Sequence, residues 1–169
     1  MTAMAHERGW RVPLLDAVVA VNRARPRTII ARLKQEAGGL KDRKVALLGL
    51  AFKPGTDDWR NSPSQPLVQA LLEENAQVVA WDPLVGPESV AEWRGLVGLV
   101  RSAGEVLDGA FAALIATAWP EVAEWPWKDL TPRMAQPLIY DGRNVLTEIS
   151  WASNVRYIAA GAGSNYGAA

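Results

Sequence analysis

Three polar clusters in this 169-residue sequence fall at predicted strand ends, where side chains could meet a phosphate or a ribose. The first is Gly49 to Pro63, GLAFKPGTDDWRNSP. Lys53 offers a point charge, and Arg60 offers a planar fork suited to a phosphate or ribose group. A second reading of the same loop is a solvated turn in which Asp57 and Asp58 pair locally with Arg60, at little energetic gain. The second cluster is Asp141-Gly142-Arg143-Asn144, where Arg143 could reach the same rim as Lys53, although Asp-Gly is also an ordinary turn. The third is Trp81-Asp82-Pro83. An acid after a second strand is where dinucleotide sites hold a ribose, but a lone Asp-Pro turn is common. The glycine fingerprint GxGxxG is absent from the first loop, which has only Gly49 and Gly55, so backbone cradling of a pyrophosphate by that motif is not supported.

Composition removes several other chemistries. There is no cysteine, which excludes disulfides, thiolate metal sites and a Cys nucleophile within this sequence. A single histidine, His6, argues against a His-rich metal centre or a Ser–His–Asp triad. It reads as a surface residue beside Glu7 and Arg8. Eighteen basic and eighteen acidic side chains give zero net charge, so a nucleic-acid partner is not expected. The zero hides an asymmetry: residues 1–44 balance to +6 and residues 45–169 to −6. Arg23, Arg25 and Arg27 form a basic run that reads as a solvated helix face or a contact for an acidic surface. No run reaches the roughly 18–20 apolar residues of a membrane span, and the start has no signal-peptide layout. The expectation is a cytoplasmic protein without membrane partners.

The clusters need elements to position them. Pro13 suits a first helical turn, and Leu14, Leu15, Val18, Val19 and Val21 follow at helical spacing. Pro26 should kink or break that helix, with a second stretch from about Arg27 to Glu36 and a stop at Ala37-Gly38-Gly39. This apolar face has no core of its own and must pack on the rest of the chain or on another chain. Beyond it, strands are expected at 44–50, 77–81, 112–117 and 138–141, with an edge strand at 156–160. A helix is expected at 62–74, with Ser62 as cap and Pro63 at its first position, and short helices at 88–93 and 102–107. Residues 121–130 read as a Trp-rich helix or loop, and Trp119, Trp125 and Trp127 as packing or an interface patch. Apolar strands alternating with helices predict an α/β parallel sheet covered on both faces. Residues 1–38 are the helical segment, 39–160 the sheet domain and 161–169 a flexible tail.

The first loop resembles the signature that opens the C-terminal domain of the UDP-glucose/GDP-mannose dehydrogenase family. LLDAVVAVN resembles the late part of that family's central dimerisation helix. VVAWDP is similar to its second strand, ALIATAWPE to its third strand and following loop, and LIYDGRN to its DGRN strand end. The matches stand in the family's order over residues 1 to about 160. The UDP-glucose enzymes are the most similar, on TDD, TAWPE and DGRN.

The resemblance implies a Rossmann-like sheet that binds a nucleotide-sugar, UDP-glucose above others, and a homodimer through residues 13–36. The family oxidises C6 of the sugar from alcohol to carboxylate with two NAD, through a cysteine thiohemiacetal and thioester. It implies substrate contacts for Phe52, Lys53 and Arg143, an NAD contact for Arg60, and a loop-shaping role for Asp57 and Asp58. No catalytic residue and no metal ligand is expected in this chain. The family's cysteine motif and N-terminal NAD-binding domain have no match here, and Thr2-Ala3-Met4-Ala5 resembles the segment just after that motif. The expectation is therefore a C-terminal part that is inactive alone, with NAD bound mainly elsewhere. A non-catalytic dimeric scaffold or nucleotide-binding module is the alternative, and an unrelated flavodoxin-like binding domain is a third.

Overall fold

The computed structural model describes residues 2–161. Six strands form one fully parallel sheet: β1 (Lys44–Leu48), β2 (Gln77–Trp81), β3 (Val97–Val100), β4 (Ala112–Ile115), β5 (Leu138–Asp141) and β6 (Arg156–Ala159). Their order across the sheet is β3-β2-β1-β4-β5-β6, which is the Rossmann-like order. The chain leaves β1 toward one edge and returns to place β4 on its other side. That reversal opens a crevice at the carboxyl ends of β1 and β4. The central strands are buried over nearly their whole length, because helices cover both faces and no polar alternation is needed.

Two helices precede the sheet. Helix α1 (Thr2–Glu7) is short, and His6, exposed, pairs with Asp16 at 3.1 Å. Helix α2 runs unbroken over Pro13–Ala37. This corrects the expected break at Pro26. Proline there leaves the Asn22 carbonyl without its helical donor. The ring itself is buried, and it opens a stripe of Pro26, Ile30, Leu33 and Ala37 that docks on the sheet domain beside α3 (Ser64–Glu73) and β5. Tertiary burial outweighs the missing hydrogen bond. The helix ends as expected: Gly38 takes the left-handed conformation, and Gly39 N donates to Lys34 O at 2.9 Å. In the first half of α2 no residue is buried, and Leu14, Val18 and Val21 are exposed.

Three further expectations need correction. Helix α3 starts at Ser64 with Pro63 in the cap position, so cap and first turn each lie one residue later than expected. Ser62 instead accepts the Ser64 N–H, while the Ser64 hydroxyl donates to Leu50 O at 2.7 Å. Residues 88–93 hold only a tight turn over Ala91–Trp93, and the strand β3 that follows was not foreseen. Residues 121–130 divide at Trp125-Pro126 into two short helices, α5 (Pro120–Glu124) and α6 (Trp127–Leu130). The remaining helix, α4 (Ala103–Leu107), is opened by a reciprocal Ser102–Glu105 cap. The tryptophans are packing: Trp119 and Trp127 are buried, and Trp125 sits edge-on to Trp81 at 4.7 Å. From residue 162 onward, the expected tail lies outside the described residues. Among the described residues, no helix is long and apolar enough to cross a membrane.

Candidate functional site

Each acidic strand end is held by hydrogen bonds within the chain. Asp82 follows β2 and is fully buried. One oxygen accepts from Leu50 N at 2.7 Å, Ala51 N at 2.9 Å and Trp119 Nε1 at 3.0 Å. The other accepts from Leu84 N and Val85 N. Asp82 thus ties together the loops after β1, β2 and β4, and every bond it makes is internal. Its place is structural rather than a ribose contact. Asp141 does the same after β5, accepting from Arg143 N, Leu146 N and Tyr157 Oη. Burial and this bond to Asp141 push the Tyr157 phenol well above its usual range.

Two glycines let these loops approach each other. Gly49 has φ +95°, and a Cβ there would stand 2.4 Å from Thr117 Cβ. A Cβ on Gly142 would stand 2.6 Å from Ile115 O. Neither position admits a side chain without backbone movement.

The result is a cleft of about 580 Å³ at the carboxyl ends of β4 and β5, roofed by α2. Leu114, Ile115 and Ala116 form its floor. Phe52, from the loop after β1, stands at the rim and is 54% exposed. Asn61, Gln65 and the first turn of α3 form one wall, and Asn22, Arg25, Pro26 and Ile29 of α2 form another. Arg143 completes the ring, with Nε donating to Ala116 O. Among the described residues, no acidic side chain lines the cleft. Among the described residues, neither Arg25 nor Arg143 forms an ion pair. Burial, and secondarily the charge of Arg25, lowers the Arg143 pKa below that of a free guanidinium. The site is cationic, unneutralised and adjacent to a helix N-terminus, all of which favour an anion.

The structure brings together two of the four residues singled out from the sequence. Phe52 and Arg143 line the cleft. Lys53 is exposed on the same loop but outside the lining. Arg60 is also outside it, and its Nε and Nη2 donate to Asp58 at 2.8 and 3.0 Å. This is the local pairing weighed for that loop, and it holds the Asp58 carboxyl below its usual range. Arg25, Asn61 and Gln65 were not singled out as ligand residues. Arg25 read as a solvated helix face, and only the docking of α2 turns it into a wall of the cleft.

Residues 46–148 match the model of the UDP-glucose/GDP-mannose dehydrogenase family, UDP binding domain. The chain belongs to this family. It is 41% identical over 145 residues to the UDP-glucose 6-dehydrogenase AglM of Haloferax volcanii, covering 86% of this chain and 33% of that protein. The UDP-glucose 6-dehydrogenase TuaD of Bacillus subtilis is 33% identical over 144 residues, covering 85% and 31%. Among solved structures, a UDP-glucose dehydrogenase from Pyrobaculum islandicum superposes with TM-score 0.78 at 30% identity, covering 93% of this chain and 34% of that one. The chain spans about a third of the length of the relatives it matches. Within the family's UDP binding domain, the cleft lies beyond the carboxyl ends of β4 and β5, next to the switch point between β1 and β4.

Proposed function

We propose that this chain is the nucleotide-sugar-binding and dimerisation part of an NAD-dependent 6-dehydrogenase of the UDP-glucose to UDP-glucuronate type. The observation that carries the proposal is the cleft beside the switch point, in which Arg25 and Arg143 meet no acidic residue and form no ion pair among the described residues. The diphosphate of a UDP-sugar supplies the missing negative charge. Arg143 is held by Asp141 through its backbone and by Ala116 through Nε, so its terminal nitrogens are presented in a fixed direction. Phe52 offers an aromatic face at the rim, and Lys53 an exposed charge outside it.

NAD is the hydride acceptor of the proposed reaction. The residues present here do not build its phosphate loop. The β1–α3 connection lacks the glycine fingerprint, and Gly49 is taken up by its contact with Thr117. The dinucleotide and the nucleophilic cysteine are assigned to residues outside this sequence, and the 169-residue chain is assigned no turnover of its own. Arg60, oriented by Asp58 and with a side chain 81% exposed, is assigned the role of reaching toward the cofactor from the rim.

Isothermal titration of the chain with UDP and UDP-glucose tests the assignment. Saturable binding is expected, and Arg143→Ala should weaken it by roughly tenfold or more through loss of a charge-assisted contact. A folded sample with no heat from either ligand, and no thermal shift, would favour the scaffold reading.

A further inference from the structure

The proposed function gives Arg143 the nucleotide, and the cleft contains a second guanidinium that this leaves unused. Arg25 projects from α2, one residue before the buried Pro26, so docking of the helix places it on the wall of the cleft. The other polar residues of the lining are neutral, among them Asn22, Asn61 and Gln65. Arg25 and Arg143 therefore share a space that no carboxylate lines among the described residues. The charge of Arg25 is felt at Arg143, and also at Tyr140 on β5. Two like charges held in one crevice repel each other unless an anion comes between them.

We infer that Arg25 and Arg143 form a two-sided clamp on a diphosphate, with α2 contributing a direct ligand contact to the nucleotide site. This rests on the cleft being the nucleotide site and adds a role for α2 beyond association. A monophosphate offers one phosphate group to the two arginines. A diphosphate engages both, so the clamp should discriminate between UDP and UMP. Arg25 is exposed and makes no ion pair among the described residues, so replacing it should leave the fold intact.

The test titrates UDP, UMP and inorganic pyrophosphate into the full 169-residue chain and into Arg25→Gln and Arg143→Gln, with a thermal melt as the control for folding. The chain should prefer UDP to UMP. Arg25→Gln should lose roughly tenfold in UDP affinity, lose little for UMP, and compete poorly with pyrophosphate. Arg143→Gln should weaken both nucleotides. Normal UDP binding by Arg25→Gln alongside weakened binding by Arg143→Gln would overturn the clamp and leave the site standing. Failure of the unaltered chain to bind UDP would remove the site and the clamp together.

Discussion

Asp82 and Asp141 are both acids at strand ends before a turn, and each is buried as an acceptor for several donors. Both oxygens of each carboxylate are satisfied by these donors, and removing the donors is costly. Tyr157 is the donor whose titration reports on this. Its phenol is raised above the ordinary value near 10. The unfolded chain therefore loses this proton first as pH rises past 10, and the folded state loses stability across that window. Below it the tyrosine is neutral in both states and the contribution is fully present. Urea denaturation at pH 8 to 11 should show a steeper alkaline loss for the native sequence than for Tyr157→Phe. Parallel profiles would mean that Tyr157 carries no such linkage. In sequence, the full role of Asp82 was hidden, because three of its partners, Leu50, Ala51 and Trp119, lie more than thirty residues away.

At the scale of elements, α2 divides into two halves at Pro26. Beyond it the helix is anchored through Ile30, Leu33 and Ala37. Before it, Leu14 is 77% exposed and Val18 is 49% exposed. A projecting apolar stripe of this kind fits a second copy of the helix, in line with the proposed dimer. Leu14→Glu combined with Val18→Glu should convert a dimer to a monomer in analytical ultracentrifugation, with the melting temperature of the sheet domain little changed. A dimer that survives both charges would move the interface elsewhere. The strands show what was legible. β1, β2 and β5 announce themselves as short apolar runs ending at a glycine or aspartate, and β4 as an apolar run ending at Thr117. β3 does not, because VGLV lies at the sheet's edge, is half-exposed and contains Gly98. The continuity of α2 was also hidden, since the rule against interior proline is local and the burial that overrides it is tertiary.

At the scale of the whole molecule, the switch point could be anticipated from alternating elements and Arg143 from the loop that follows a strand, whereas Phe52 rests on the family resemblance alone. Arg25 could not, because its place depends on a helix preceding the sheet and lying across it. Asp82 gives the assembled site one further property. By joining the backbone amides of two loops to an indole from a third, it makes that edge of the sheet behave as one mechanical unit. The Leu50, Ala51, Leu84 and Val85 amides bonded to it should exchange with deuterium together, at the slow rate of global opening. Faster exchange of Leu50 and Ala51 than of the β1 core would show that the loops move independently. A rim that opens only as a unit has little order left to gain when a ligand arrives. Nucleotide association should then be fast and single-phased in stopped flow, without the slow second step of a closing lid.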